Sequence, residues 1–273
     1  MRISFWKMEG GGNDFVVINN LDGLIKEEDK RAFSRKILHP KFGVGGDGLI
    51  LIETSSNYDF RMRIFNPDGS EPTMCGNGAR CAVRFAVENG LVSRFHLKFE
   101  TGAGVIEGEI KGKEVKILLS PPGELKLDYP LKINGEEIIV SSVNTGVPHV
   151  IVETENLEEI DVKEKGKSLR YHPEFQPEGT NVNFVRYKNR NFCEVRVYER
   201  GVEDETLCCG TGGVACAVIG IEKGILSSPV EVYFVKGGEK LRVYCEEGKY
   251  YLEGKVWKVF EGIYEGGRYG EAE

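Results

Sequence analysis

Cys75-Gly76-Asn77-Gly78-Ala79-Arg80-Cys81 contains a Cys-Gly-x-Gly pattern that returns 134 residues later, in Cys209-Gly210-Thr211-Gly212. The same offset relates four further pairs of glycines: Gly12 and Gly146, Gly45 and Gly179, Gly90 and Gly224, and Gly104 and Gly238. One spacing that holds over five anchors indicates an internal duplication, and a period of this length is that of a small domain. The chain is therefore predicted to build one fold twice, with one cysteine motif in each copy.

The composition is typical of a soluble globular protein. Of the 273 residues, 40% are hydrophobic and 29% are charged, which is enough chain for two cores. The net charge of −7, without a basic stripe, argues against nucleic-acid binding. No segment has the ~20 apolar residues of a membrane span, and the first residues lack the apolar run of a secretion signal. We therefore expect a cytoplasmic protein, with no membrane partner, in a reducing compartment.

The seven cysteines favour neither a disulfide framework nor a zinc site. Their number is odd, which argues against complete pairing. Cys75 and Cys81 are too far apart for a C-x2-4-C knuckle, and the adjacent Cys208 and Cys209 suit no common ligand pair. We therefore predict no metal. All cysteines except Cys75 and Cys209 are predicted to be small buried hydrophobic residues: Cys81, Cys193, Cys208, Cys216 and Cys245.

Hydrophobic periodicity predicts an α+β fold of two similar pseudo-symmetric domains, each a mostly antiparallel sheet around one buried helix. The central helices, at about 77–89 and 211–222, are apolar on nearly every side. Further helices are predicted at 27–38 and 160–169. Strands are predicted at 2–8, 15–18, 49–52, 60–65, 97–100, 104–110, 114–119, 138–143, 149–152, 182–187, 193–198, 230–235, 240–245 and 250–254. The candidate link, 120–123, separates domains 1–120 and 121–262, and the tail 263–273 is a candidate to complete the first.

A cysteine at the start of a helix has a specific chemistry. Unpaired N–H groups and the helix dipole lower the pKa of such a thiol, which makes its thiolate available near neutral pH. The same N–H groups form an anion site suited to a carboxylate. Two such units could flank one carboxylate-bearing carbon, remove its proton on one face and return a proton on the other. This pattern predicts inversion of a stereocentre without a cofactor.

Six segments of the chain together resemble diaminopimelate epimerases: 12–15, 65–70, 74–81, 179–184, 198–201 and 206–212. The resemblance covers essentially the whole chain, and the spacing of Glu199-Arg200-Gly201 ten residues before Cys209 is specific. It implies a cofactor-independent two-base epimerase that converts LL- to meso-diaminopimelate, for lysine and cell-wall synthesis. It also implies two α+β domains with the active-site cleft between them, a small-molecule substrate and a homodimer.

The resemblance implies roles for individual residues. Cys75 and Cys209 would be the acid and the base, exchanging roles with the configuration of the substrate. His149 and Glu199 would lie near the reacting amino group and the thiols. The reacting α-carboxylate would bind the starts of the two central helices, at Gly76, Asn77, Gly210 and Thr211. The distal end of the substrate would bind Asn13, Asn66, Asn181 and Arg200, with Arg200 as the bidentate partner of its carboxylate.

The chain departs from the family pattern at two positions. Many members have Gln where this chain has Gly48, and Asn where it has Val147. Both positions serve substrate binding in those members, so the set of distal contacts here differs while the proposed acid-base pair is retained.

Two alternative functions are consistent with the same pattern. A proline or hydroxyproline racemase would also use two opposed cysteines, although Arg200 and the three asparagines favour a longer substrate with a charged far end. A non-catalytic amino-acid-binding module would instead only pack its cysteines. Exchange of the Cα proton with solvent separates either enzyme from the binding module.

Overall fold

The computed structural model describes residues 2–133 and 135–266. They form two compact units: the first contains the chain up to Ile117 and the described residues from Gly254 onward, and the second contains Leu118–Glu253. The predicted domain 121–262 had placed residues 254–262 in the second half, but the strand Trp257–Tyr264 pairs with the strand Ile3–Gly10 of the first. Of the predicted tail 263–273, residues 267–273 lie outside the described residues.

The helices and strands follow the predicted order. The described residues form four α-helices: α1 (Lys30–Ile37), α2 (Gly76–Glu88), α3 (Val162–Arg170) and α4 (Gly210–Glu222). The strands are β1 (Ile3–Gly10), β2 (Asn13–Asn19), β3 (Gly48–Glu53), β4 (Phe60–Phe65), β5 (His96–Thr101), β6 (Gly104–Lys111), β7 (Glu114–Leu118), β8 (Gly123–Ile133), β9 (Glu136–Asn144), β10 (Pro148–Glu153), β11 (Asn181–Asn189), β12 (Phe192–Glu199), β13 (Asp204–Thr206), β14 (Val230–Phe234), β15 (Glu239–Glu246), β16 (Lys249–Lys255) and β17 (Trp257–Tyr264).

The two units share one order of strand pairing. In the first, β17, β1 and β2 are antiparallel neighbours, β2 is parallel to β3, β3 is antiparallel to β4, and β4 is parallel to β5. In the second, β8, β9 and β10 are antiparallel neighbours, β10 is parallel to β11, β11 is antiparallel to β12, and β12 is parallel to β14. Each parallel pair needs a crossover, which α1, α2, α3 and α4 supply in turn. The predicted duplication and mostly antiparallel α+β fold are confirmed.

Each sheet is covered on both faces, which explains its continuous apolar strands. Leu49 and Leu51 of β3 belong to the core that also contains Ile37 of α1. The alternate residue Ile50 faces α2, because its Cδ1 atom lies 3.2 Å from the point where a Cβ on Gly78 would be. Strands that are buried on both faces lose the usual apolar-polar alternation. The all-apolar stretch 49–52 is therefore a consequence of the layer order.

The central helices are buried, as their predominantly apolar sequences predict. In α2 every residue from Asn77 to Ala86 is buried, and in α4 every residue from Gly212 to Gly220 is buried. Both helices have 13 residues and are followed, after one further residue, by a glycine of positive φ, Gly90 (+69°) and Gly224 (+70°). Glycine adopts this conformation without steric cost and ends each helix. Among the described residues, no helix is long and apolar enough to span a membrane.

The strands β8, β13 and β17 were not predicted. The first six residues of β8 and much of β17 are exposed, so neither strand shows the alternation that marks a half-buried strand. In addition, Glu124 and Asp128 of β8 have φ values of +53° and +46°, and the register of β8 against β9 shifts at this end. β13 has only three residues.

Candidate active site

Both cysteine motifs place their cysteine at the N-cap of the central helix. Cys75 precedes α2 with φ −142° and ψ 119°, and Cys209 precedes α4 with φ −130° and ψ 106°. Cys75 Sγ accepts a hydrogen bond from the backbone N–H of Gly78 at 3.5 Å, and Cys209 Sγ lies 3.5 Å from Thr211 Oγ1. The N–H groups of the first helical turn have no acceptor within the helix. Each thiol therefore lies beside a cluster of backbone donors.

A chain of side-chain hydrogen bonds fixes the start of α2. Asn13 donates through Nδ2 to Asp47 Oδ2 (2.9 Å) and accepts through Oδ1 from Asn77 Nδ2 (2.8 Å). Asn77 Oδ1 in turn accepts from Arg80 Nη2 at 2.7 Å. This series of hydrogen bonds runs from the Asp47 carboxylate to the Arg80 guanidinium, so it orients the side-chain amides of Asn13 and Asn77. The Asn77 side chain is thus engaged within the protein, and an anion at this helix would be bound by backbone N–H groups.

Asn66 lies in the tight turn between β4 and α2. Its Nδ2 donates to Ser70 Oγ at 2.9 Å, and its backbone N–H donates to the carbonyl of Ser70 at 2.8 Å. The carbonyl of Asn66 accepts from the N–H of Gly69 at 3.0 Å. The structure thus gives Asn66 the turn geometry that Asn-Pro-Asp-Gly-Ser favours.

The second unit brings Asn181 and Arg200 together. Asn181 Oδ1 accepts from the backbone N–H of Arg200 at 2.8 Å, while the Arg200 side chain donates through Nη1 to the carbonyl of Glu178 at 2.8 Å. Glu199, the last residue of β12, is half-buried beside Arg200 in the sequence. The start of α4 is tied to the turn between β9 and β10, because Thr145 Oγ1 donates to the carbonyl of Thr211 at 3.0 Å.

His149 on β10 is buried and held in one tautomer. The Asn183 amide nitrogen lies 3.1 Å from His149 Nδ1 and donates also to the carbonyl of Val150 at 3.2 Å. An amide nitrogen can only donate, so Nδ1 accepts and the proton of the neutral ring lies on Nε2. Burial, to which the positive charge of Arg200 adds, lowers the pKa of His149 from 6.5 to about 3. At neutral pH the side chain is therefore an uncharged hydrogen-bond donor.

Asn183 is a residue near the thiol that the sequence interpretation missed. Its Oδ1 atom lies 2.3 Å from the point where a Cβ on Gly212 would be, and Cys209 Sγ lies 3.3 Å from the same point. Only glycine fits at position 212 with the amide in this place. Two asparagines, at positions 181 and 183 in the buried first half of β11, were the available signal, because residues two apart share one face of a strand.

Of the other cysteines, four are buried as predicted: Cys81, Cys193, Cys208 and Cys216. Burial raises the pKa of the Cys81 and Cys216 thiols well above their usual range and that of Cys193 to about 12, so these three stay protonated. Cys245 is only half-buried, contrary to the prediction, because it lies near the exposed end of β15. Among the described residues, no group of three or more His, Cys, Asp or Glu side chains is placed to hold a metal ion.

The same fold is found in solved structures of a phenazine biosynthesis protein and a hydroxyproline epimerase. A phenazine biosynthesis protein of the PhzF family from Bacillus anthracis aligns with a TM-score of 0.70 at 19% identity, covering 97% of this chain and 99% of that one. A hydroxyproline epimerase from Agrobacterium vitis, with trans-4-hydroxy-L-proline bound, aligns with a TM-score of 0.70 at 15% identity, covering 96% and 92%. Such low identities establish the fold alone.

Sequence similarity is much closer to one family with this fold. The model of the diaminopimelate epimerase family matches residues 5–123 and 141–259, one match in each half. The diaminopimelate epimerase of Aquifex aeolicus is 47% identical over 273 residues, covering 95% of this chain and 97% of the relative. That of Archaeoglobus fulgidus is 43% identical, covering 96% of each. The chain belongs to the diaminopimelate epimerase family, whose members are isomerases.

The buried His149 predicts a specific dependence of stability on pH. Because its pKa is about 3 when folded and 6.5 in the ordinary state, the unfolded chain binds more protons between these values. Its contribution to the free energy of unfolding is therefore lost as pH falls from about 6.5 towards 3, by on the order of 4 kcal/mol. Urea unfolding of His149→Gln should show a shallower loss over this range than the unsubstituted protein.

His96→Gln is the matched control, because the His96 side chain is 77% exposed and lacks the burial that lowers the pKa of His149. Equal slopes for His149→Gln and the unsubstituted protein would show that His149 does not resist protonation in the folded state.

Proposed function

We propose that this chain epimerises 2,6-diaminopimelate, converting the LL form to the meso form through a two-base mechanism with Cys75 and Cys209 as the bases. The observation that carries the proposal is the repeated N-cap: each unit of a chain in this family places a cysteine, in the same extended conformation, at the start of a buried 13-residue helix. A thiol in this setting can exist as thiolate near neutral pH. Both partners required for proton exchange are then side chains of the protein.

The starts of α2 and α4 would bind the reacting α-carboxylate. The backbone N–H groups of Gly76, Asn77, Gly210 and Thr211 belong to first helical turns, where donors and the positive end of the helix dipole favour an anion. As the Cα proton leaves, negative charge grows on the carboxylate oxygens. Donors that are already oriented stabilise this charge without reorganisation, which lowers the barrier to carbanion formation.

The proton balance of the proposed reaction needs no cofactor. One cysteine begins as thiolate and takes the Cα proton, while the other begins as thiol and gives its proton to the opposite face of the carbon. The product is the epimer, and the two cysteines have exchanged protonation states. The reverse reaction starts from that exchanged state, which is why each residue serves as acid for one isomer and as base for the other.

The distal end of the substrate would be bound by Arg200 with Asn181, Asn13 and Asn66. Hydrogen bonds to Glu178 and Asn181 hold Arg200 in place, and the guanidinium has five N–H donors of which Glu178 takes one. A guanidinium binds a carboxylate through two parallel hydrogen bonds. His149, which is neutral at physiological pH, and Glu199 would lie near the reacting amino group and the thiols.

The wider assignments follow from this reaction. A diaminopimelate epimerase supplies meso-diaminopimelate for lysine synthesis and for cell-wall synthesis, and we place the enzyme in the cytoplasm. We also propose a homodimer. β17 carries large apolar residues that are exposed in the single chain: Trp257, Val259, Phe260 and Ile263. A row of this kind on one strand favours burial against a second copy.

The first prediction from the proposed reaction concerns the two thiols. Cys75→Ser and Cys209→Ser should each reduce turnover of LL-diaminopimelate at least ~100-fold, because a serine hydroxyl is a far weaker base than a thiolate. Turnover is measured by conversion to the meso form and by deuterium incorporation at Cα in D2O. L-proline is tested in the same way, as the substrate of the racemase alternative. Cys193→Ser, at a buried position outside the site, is the control for general loss of stability.

Full turnover in either variant would refute the two-thiol mechanism. Deuterium incorporation into L-proline but not into diaminopimelate would favour the racemase alternative, and binding without exchange would favour the binding module.

A second prediction concerns Arg200. Arg200→Lys keeps the positive charge but loses the planar fork, so the KM for diaminopimelate should rise about 10-fold or more while kcat changes less. Lys188→Ala, a change of an exposed cation on the neighbouring hairpin, should leave KM unaltered. An unchanged KM in Arg200→Lys would remove Arg200 from the distal site.

A third prediction concerns the homodimer. Val259→Glu combined with Ile263→Glu should convert the dimer to a monomer in light scattering, because two charges would be buried in the contact. Phe95→Glu, which changes an apolar residue that is 66% exposed elsewhere on the same unit, should leave the dimer intact. A monomeric unsubstituted protein, or a dimeric double variant, would contradict the assignment of β17.

A further inference from the structure

A strand on the N-terminal side of each cysteine motif carries an arginine that binds a glutamate through two hydrogen bonds. In the first unit, Arg63 of β4 binds Glu71, with Nε–Oε1 at 2.6 Å and Nη2–Oε2 at 2.7 Å. In the second, Arg196 of β12 binds Glu205, with Nε–Oε1 at 2.8 Å and Nη2–Oε2 at 3.0 Å. The duplication has therefore kept both partners and the bidentate geometry.

The glutamates occupy equivalent places in the chain, four residues before the two cysteines. Glu71 lies on the segment from β4 to Cys75, and Glu205 lies on the segment from β12 to Cys209. Each ion pair joins a central strand to the segment that ends at the thiol. Only three residues separate the anchored glutamate from its cysteine.

Each arginine also reaches a third element, again in equivalent fashion. Arg63 Nη1 binds Glu27 at 2.5 Å, in the 3-10 turn that precedes α1. Arg196 Nη1 donates to the carbonyls of Leu157 (3.1 Å) and Ile160 (2.9 Å), at the 3-10 turn that precedes α3. The guanidinium therefore fixes the crossover turn, the strand and the cysteine segment relative to one another.

These pairs are more constraining than ordinary surface ion pairs. All four side chains of the two pairs are at most 24% exposed. The hydrogen bonds from Arg63 hold the pKa of Glu71 below its usual range, and those to Glu205 raise the pKa of Arg196. A bidentate charged pair sheltered from water has both geometric specificity and reduced screening.

We propose that Arg63–Glu71 and Arg196–Glu205 are matched positioning pairs, each of which sets the place of one cysteine thiol for proton transfer. The inference rests on the proposed function, in which Cys75 and Cys209 are the two bases. Proton transfer is sensitive to displacements of the order of 1 Å, so a loosened segment lowers the rate while leaving substrate binding largely intact. Neither pair contacts the reacting atoms in this scheme; each acts through its cysteine segment.

The chain supplies a matched control pair, Arg186–Glu194. Arg186 Nε donates to Glu194 at 2.8 Å between β11 and β12, and the side chains are 14% and 18% exposed. The chemistry and burial resemble those of the two positioning pairs, but Glu194 lies within β12 and no cysteine segment leads from it. Glu205, in contrast, lies in β13, on the segment that ends at Cys209. Glu194→Gln therefore measures the cost of losing such a pair in this fold.

The experiment compares Glu71→Gln, Glu205→Gln and Glu194→Gln in the full-length enzyme. Steady-state kinetics with LL-diaminopimelate, melting temperature, and the alkylation rates of Cys75 and Cys209, followed by mass spectrometry of their peptides, are measured for each. Glu71→Gln and Glu205→Gln should lower kcat about 10-fold or more with KM within about 2-fold, the size of one lost charged hydrogen bond. Glu194→Gln should lower the melting temperature comparably and leave kcat unchanged.

The alkylation rates separate positioning from general loosening. Glu71→Gln should change the rate at Cys75 and not at Cys209, and Glu205→Gln should do the reverse. Equal changes at both cysteines, or losses of kcat no greater than in Glu194→Gln, would overturn the proposal. If a glutamine variant does not fold, Arg63→Lys and Arg196→Lys, which keep the charge and lose the fork, are judged by the same criteria.

Failure of this inference is distinguishable from failure of the proposed function. If Cys75→Ser and Cys209→Ser are inactive while Glu71→Gln and Glu205→Gln are fully active, only the positioning role is wrong. If either serine variant is fully active, the two-base mechanism is wrong whatever the glutamate variants show.

Discussion

The start of a buried helix leaves backbone N–H groups that need an acceptor, and this constraint organises each unit of the protein. An α-helix cannot satisfy its own first-turn donors, and burial keeps most water from doing so. In the first unit the sulfur of Cys75 takes one of these donors, from Gly78. The remaining donors favour an anionic group, so the requirement that shapes the helix end also suits it to a carboxylate.

The two units surround their helix starts with one backbone arrangement and different polar side chains. The first surrounds its helix start with the ordered chain Asp47, Asn13, Asn77 and Arg80. The second uses a neutral imidazole held by Asn183 and a threonine hydroxyl on the carbonyl of Thr211. Where Phe15 lies in the first unit, the 134-residue offset places His149 in the second. The duplication thus preserved strand order and ion-pair anchors while the polar groups near the helix starts diverged.

Periodicity was sufficient for the elements that are buried on a regular pattern. The central helices and the strand at 49–52 were predictable because their apolar residues leave few alternatives. β8 and β17 escaped because strands that are largely exposed need no apolar-polar alternation. β17 pairs with β1, which lies more than 240 residues away in the sequence, so no local sequence pattern indicates that pairing. The predicted link at 120–123 lies a few residues after the boundary between the units, which falls between Ile117 and Leu118, and Gly123 already belongs to β8.

The same distinction, between short sequence motifs and contacts of residues distant in sequence, applies to the residues of the site. The cysteines, Asn181 and Arg200 lie in short motifs and could be proposed from the sequence. Asn183 was missed because its role depends on contact with Gly212, 29 positions away. In the sequence, Arg196 is one of the polar residues that alternate with apolar ones along β12. Only the folded structure shows that its guanidinium binds Glu205 through two hydrogen bonds. Single residues with diagnostic chemistry are therefore predictable, whereas pairs defined by tertiary contact are not.

The position of β17 has a consequence for synthesis on the ribosome. The second unit is one continuous segment, so all of its strands are present once residue 253 has emerged. The first unit contains the start of the chain. However, β17, one of the two strands that pair with β1, is complete only when translation reaches Tyr264. The half that is translated first is thus completed last, and until then the nascent polypeptide carries β1 as an unprotected edge.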